Sequence, residues 1–317
     1  MDPIDSAPCT ALRYAAGIID GKLVIAGGTY WTGTPGHWTK KLYSASTDAF
    51  DPISQRWEKL PDLPVPLGYP ASTVVGGKLF VLGGYTGLQV NRKIFVLKKS
   101  DGRYSWSVLR ERGPGRIFAS AVSWGKAIYL VGGTTSFEAY DAAGTCCTSK
   151  TATSTLLRFD MGHPARGWRK LSPYPGAPRW LPAVAIHGKS IWLFGGIFES
   201  DPKVPPTEFD GVLKYDLTQG RWNVMPRLPK PVATIQPLCS LALGNNIFLF
   251  TGHKQVWQFN LRTQRYSETT PMPESVYVDR FFWVDERIIG AGGESTPAGP
   301  RRRSPWTIIA RLSPPSK

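Results

Sequence analysis

Three arginines of this chain stand immediately before apolar, strand-like runs: Arg13-Tyr14, Arg116-Ile117 and Arg179-Trp180. In a further unit Gly68-Tyr69 takes the same place, and Asp279-Arg280 precedes the last run. Trp31 follows shortly after the first run, beside Thr29 and Tyr30. A guanidinium offers a planar fork of N–H donors that matches a carboxylate in charge and in geometry. Rings such as Trp31, Tyr69 and Trp180 suit the apolar face of a sugar or another flat ligand. The chemistry these residue types support is recognition of an acidic group. The competing role for each arginine is structural, tying neighbouring units together through carboxylates or carbonyls.

The runs that must position these side chains repeat. Six times an apolar segment ends in Gly-Gly or its near-equivalent: Gly27-Gly28, Gly83-Gly84, Gly132-Gly133, Gly195-Gly196, Thr251-Gly252 and Gly292-Gly293. Before each doublet lie two short β segments around a turn, as in GIIDGKLVIAGG and STVVGGKLFVLGG. After it come a polar loop and a third strand with an aromatic-acid pair (Phe50-Asp51, Phe159-Asp160, Tyr215-Asp216, and Phe259-Asn260 as a variant). A fourth strand then carries Trp57, Trp106, Trp168, Trp222 or Tyr266. Four-strand units at this period describe the blades of a β-propeller, because a lone twisted sheet cannot bury both of its faces. The fold class is therefore all-β. The fourth-strand ring is expected to be a packing plate between blades rather than a ligand contact.

The order strand-turn-strand-Gly-Gly-loop-strand-(Tyr/Phe)-Asp-turn-Trp resembles the kelch family over nearly the whole chain. The expectation is one domain, 1–317, a six-bladed kelch β-propeller with units at about 13–60, 67–109, 116–171, 179–225, 234–270 and 277–312. The last unit shows three strands, so residues 2–12 are expected to supply its fourth and close the ring, which removes open sheet edges. The resemblance further implies that the arginine before a first strand binds ligand. Arg13, Arg116 and Arg179 are the carry-overs, with Arg280, Trp31, Tyr69 and Trp180 around the same mouth.

Composition is consistent with an all-β repeat: 33 Gly, 28 Pro and 12 Trp in 317 residues. The 38 basic against 23 acidic side chains give a formal charge of +15, which favours acidic partners. Nucleic acid is not expected, since few basic runs exist, Arg301-Arg302-Arg303 being the one run of three, and no nucleic-acid motif accompanies it. No apolar stretch reaches transmembrane length and no secretory h-region is present, so the chain as written reads as cytoplasmic, or periplasmic if a signal has been removed. Oligomeric state is not legible. Cys9 and Cys239 are far apart, and Cys146-Cys147 are adjacent, which leaves reduced thiols or a vicinal disulfide after export. No Cys or His spacing fits a metal. A radical-copper site of the galactose-oxidase kind is poorly served by His37, His163, His187 and His253.

Within the kelch proteins, three features resemble the bacterial N-acetylneuraminate mutarotases (epimerases): RIIGAGGESTPAG followed by TIIARL, IWLFGGIFES followed by FDGVLKYDL, and a short N-terminal closing strand. That resemblance implies a cofactor-independent isomerase acting on sialic acid or a related acidic sugar. Ring opening of a hemiketal needs a base for the anomeric hydroxyl and an acid for the ring oxygen. Glu294 with Arg301, or Glu199, occupy the positions for such a pair, while Arg116 and Arg179 would orient the sugar carboxylate. This chain departs from the family in the fourth unit, which reads Gly-Gly-Ile-Phe-Glu. The other reading is a non-catalytic interaction module that holds an acidic peptide or protein at the same arginine-lined mouth.

Overall fold

Short runs of alternating burial, joined by two-residue turns, make each unit an antiparallel meander. The first and second strands are linked by Asp20-Gly21 in the first unit and Gly76-Gly77 in the second. All four residues have positive φ, as tight hairpin turns require. The acid of the aromatic-acid pair serves the turn that follows it. Asp51, Asp216 and Asn260 each accept two backbone N–H groups of that turn, at 2.8–3.2 Å. Its aromatic neighbour packs on the fourth-strand ring, with centroids 5.2 Å apart for Phe50–Trp57 and 4.7 Å for Phe259–Tyr266.

The computed structural model describes residues 12–34, 37–136, 138–139, 147–148, 151–198, 207–229, 239–251, 254–272, 276–277, 280–295, 302–303 and 307–311. Five four-stranded antiparallel blades appear among them. The first comprises Ala15–Ile19, Lys22–Ala26, Thr47–Asp51 and Arg56–Leu60; the second, Gly68–Val75, Lys78–Tyr85, Ile94–Ser100 and Arg103–Val108. The third holds Ser120–Trp124, Ala127–Val131, Leu156–Asp160 and Trp168–Leu171. The fourth holds Ala183–His187, Ser190–Phe194, Val212–Asp216 and Arg221–Met225, and the fifth Cys239–Leu243, Asn246–Phe250, Val256–Asn260 and Arg265–Thr269. A sixth sheet has three strands, Phe282–Val284, Arg287–Ala291 and Thr307–Arg311.

The architecture is thus an all-β propeller with one three-residue 3-10 turn, Pro164–Arg166, among the described residues. Among the described residues it shows five four-stranded blades, not the six expected, because the last unit contributes only three strands there. The segment assigned to closing it, 2–12, lies outside the described residues except for Leu12, which bridges Thr29 of the first unit.

Burial lies between the sheets. Each neighbouring pair shares an apolar cluster, such as Val24, Ala26 and Ala49 of the first blade against Leu79, Val81 and Phe95 of the second. The sixth sheet packs on both sides, through Ile288 with Phe248 and Phe250 of the fifth blade and through Ile289 and Ala291 with Ile25 and Phe50 of the first. Hydrogen bonds reinforce that last seam: Arg287 donates to the Pro52 carbonyl at 2.8 Å, and Tyr14 donates to the Ala291 carbonyl. Fourth-strand rings reach back to the preceding sheet in the same way. Trp106 Nε1 donates to the Pro61 carbonyl at 2.8 Å, Trp222 Nε1 to the Ser172 carbonyl at 2.8 Å, and the Tyr266 hydroxyl to the Pro226 carbonyl at 3.0 Å.

Candidate functional site

Where the chain enters each first strand, one residue takes the left-handed conformation: Arg13 (φ 58°), Tyr69 (φ 59°), Phe118 (φ 56°) and Leu181 (φ 52°). These four are structural counterparts, since each follows a residue bridged to the start of the next loop (Leu12–Thr29, Gly68–Tyr85, Ile117–Thr134, Trp180–Ile197). A chain of backbone hydrogen bonds links them across blades. Tyr69 N–H donates to Arg13 O at 2.9 Å, Phe118 N–H to Tyr69 O at 3.4 Å, and Leu181 N–H to Phe118 O at 2.8 Å. All four line a central channel with a cavity of about 100 Å³. A volume of that order holds a few waters and is well below the ~300–1,000 Å³ of a drug-sized ligand site.

Register separates the arginines that the sequence groups together. Arg13 is the counterpart of Tyr69, whereas Arg116 and Arg179 lie two residues earlier than theirs, Phe118 and Leu181. Arg13, Tyr69 and Arg280 line the channel, and Arg116, Arg179, Trp180 and Trp31 do not. Arg280 extends from the sixth sheet to two opposing first strands, donating to the Ser72 carbonyl and, at 3.3 Å, to the Ala121 carbonyl. It acts as a strut across the channel.

Arg179 is 5% exposed. Its guanidinium lies 4.3 Å from the Phe209 ring centroid and donates to the Gly195 carbonyl at 3.0 Å. Burial pushes its pKa below the ordinary arginine value. Its backbone is equally engaged, with N–H to the Tyr174 hydroxyl at 3.0 Å and C=O taking the Gly133 N–H at 3.1 Å. Arg116 is half-buried and donates to Thr155 Oγ1 at 3.2 Å, while its carbonyl accepts the Gly84 N–H at 2.7 Å. In both, the backbone joins one blade's Gly-Gly to the next blade.

The rings gather into an arc. Tyr43 meets Tyr69 edge-on (6.4 Å), Tyr69 meets Phe118 (4.6 Å), and Phe118 meets Trp180 (4.6 Å). Trp180 is 3% exposed and its buried Nε1 has no hydrogen-bond partner among the described residues. Trp31, on the Thr29–Thr34 / His37–Tyr43 hairpin, shares the Lys41 ammonium with Tyr69, at 4.5 and 5.5 Å from the two ring centroids. Of the expected acid–base residues, Glu199 and Arg301 lie outside the described residues. Glu294 is placed by its backbone alone, in a short strand paired with Tyr277 and Arg303. Lys41, Phe118 and Arg92, which lies beside Arg116, are contributions that sequence reasoning missed. Lys41, on a hairpin strand, and Arg92, in a loop, belong to the insertions that vary between units, where the repeat carries no signal, whereas Phe118 is detectable as the second residue after Arg116 once Tyr69 is aligned correctly.

The kelch motif matches residues 11–64. Among curated relatives, the N-acetylneuraminate epimerase of Vibrio cholerae is 28% identical over 100 residues, 31% of this chain and 26% of that protein. Kelch-like protein terF of Aspergillus terreus is 25% identical over 244 residues, 72% of this chain and 48% of that protein. The chain therefore spans less than half the length of either relative. The solved structure of YjhT superposes with a TM-score of 0.72 at 16% identity, covering 97% of this chain and 96% of that one. Together with the sheets and the Gly-Gly geometry, these similarities show a β-propeller fold whose first unit carries a kelch motif.

Proposed function

We propose that this protein is a recognition module that takes an acidic group of a peptide or protein partner at the mouth of its central channel. The observation that carries this reading is the channel's lining: among the described residues it holds Arg13 and Arg280 and no Asp or Glu. A small cavity with a positive lining receives one acidic side chain at its rim better than it encloses a whole sugar. The formal charge of +15 would steer such a partner in. Arg13, Tyr69 and the Trp31–Lys41 hairpin supply the rim, and Arg116, Arg179 and Trp180 support it from behind.

A second reading, mutarotase or epimerase activity on sialic acid or a related acidic sugar, is favoured by the similarity to the Vibrio cholerae epimerase. In it Glu294 with Arg301, or Glu199, would exchange protons with the anomeric hydroxyl and ring oxygen, without a cofactor. Calorimetry with an acidic peptide, N-acetylneuraminate and a uronic acid separates the two. Peptide binding that Arg13→Ala weakens, with neither sugar bound, is the expected result. Sugar binding accompanied by faster anomer exchange in saturation-transfer NMR, lost in Glu294→Gln or Glu199→Gln, would overturn the first reading in favour of the second.

A complete sixth blade, with residues 2–12 as its outer strand, belongs to the same proposal. Its support is that Thr307–Arg311 pairs with Arg287–Ala291 on one side and with no other strand among the described residues. Deleting 2–12 should lower the melting temperature cooperatively. An unchanged melt would remove the assignment.

A further inference from the structure

We propose that Arg92 and Arg116, with the Thr155 hydroxyl, form a binding site for a doubly charged oxyanion, a phosphate or sulfate group, at the junction of the second and third blades and apart from the channel. Neither arginine is among the residues lining the channel. The loop after the second blade's Gly-Gly brings Arg92 back to the segment that leads into the third blade. Asn91 fixes it there: the buried amide donates to the Gly83 and Lys93 carbonyls, both at 2.8 Å, and Gly113 N–H donates to Arg92 O at 2.7 Å. The Arg92 side chain then lies over Gly115, so closely that a Cβ at Gly115 would stand 3.1 Å from its Cγ and 3.4 Å from its Nε. Gly115 thus leaves room for one guanidinium to lie beside the next residue's.

What this arrangement lacks is a counter-charge. Neither Arg92 nor Arg116 has a carboxylate within ion-pair distance among the described residues, and Glu111, the one acid of the connection between the two blades, forms no such pair. Arg116 keeps one hydroxyl acceptor, Thr155 Oγ1 at 3.2 Å, while its buried Nε has no hydrogen-bond partner among the described residues. Burial and the neighbouring Arg92 charge both push the Arg116 pKa down, so the pair is electrostatically uncompensated. An anion repairs that imbalance. A carboxylate would neutralise one guanidinium, whereas a phosphate or sulfate dianion neutralises both and offers oxygens to the two forks at once. Arg110 and Arg112 in the same connection add to the positive field.

The test is titration calorimetry of the full chain with inorganic sulfate, inorganic phosphate, O-phosphoserine and a sulfated monosaccharide, with acetate at matched ionic strength as comparison. Sulfate and phosphate are expected to bind and acetate not. The ester with the highest affinity identifies the source, a phosphorylated side chain or a sulfated sugar. Arg92 is exposed, so Arg92→Gln should fold normally and weaken sulfate by about tenfold or more, the scale of one lost charge-assisted hydrogen bond. Arg13→Ala should leave sulfate binding intact while weakening ligands of the channel. Absence of sulfate and phosphate binding, equal binding of acetate, an unaffected Arg92→Gln, or loss in Arg13→Ala would each overturn the proposal.

Discussion

Gly83 presses on Arg116: a Cβ at Gly83 would stand 2.0 Å from the Arg116 carbonyl oxygen, and the neighbouring Gly84 N–H donates to that same oxygen at 2.7 Å. The contact recurs where Gly133 N–H meets Arg179 O. The Gly-Gly doublet is therefore a joint between blades. Its two glycines allow backbone to meet backbone where a side chain would clash.

Gly83→Ala should accordingly destabilise the protein by about 3 kcal/mol or more, because both its φ of +64° and the 2.0 Å contact oppose a Cβ. Gly77 has a similar φ of +69°, but a Cβ there would meet nothing within 4 Å, so Gly77→Ala should cost only about 1 kcal/mol. Urea unfolding midpoints of the two variants check this. Equal losses would mean that backbone strain alone governs both sites and the joint is not special.

The fourth-strand rings allow a second comparison. Trp106 Nε1 donates to Pro61 O across the blade junction, whereas the buried Trp168 Nε1 has no acceptor among the described residues. Replacing each by Phe removes similar apolar surface but only one hydrogen bond. Trp106→Phe should cost about 0.5–1.5 kcal/mol more than Trp168→Phe, which relieves an unsatisfied donor. Denaturant titrations that ranked the two the other way would show that packing area, not the cross-blade bond, sets their contribution.

Much of this fold was legible because its signals are local. Gly-Gly, the turn-capping Asp51 and Asp216, and the Phe50–Trp57 spacing each report a backbone or packing need that recurs from unit to unit. The channel was less legible. Arg13, Arg116 and Arg179 read alike in sequence, yet a two-residue offset puts Arg13 at the channel and buries Arg179 against Phe209. Only the left-handed residue, Arg13, Tyr69, Phe118 or Leu181, marks the true register, and its φ has no sequence signature when Gly is absent. The Arg92–Arg116 pairing was invisible for a different reason: it joins residues 24 positions apart through a loop that no other unit repeats.

Tyr174 gives the alkaline limit of stability. Its hydroxyl donates to Thr153 O at 2.8 Å and accepts the Arg179 N–H at 3.0 Å, joining the third blade to the start of the fourth. Burial pushes its pKa up to about 12, against smaller lowering contributions from the Arg179 N–H and charge. The folded state thus holds this proton more tightly than the unfolded chain, in which a tyrosine titrates near ~10. The corresponding stability is fully present below about pH 10 and is lost as pH rises to about 12, on the order of 2–3 kcal/mol in all. Burial raises Tyr104, Tyr215 and Tyr266 as well, so they add slope of the same sign. Tyr174→Phe should therefore be less stable at neutral pH, for want of the Thr153 bond, yet lose stability more gently across that alkaline range than the wild type. Unfolding free energies measured in steps across it check the difference. Parallel curves for the two proteins would show that the Tyr174 phenol ionises as freely in the fold as in the open chain.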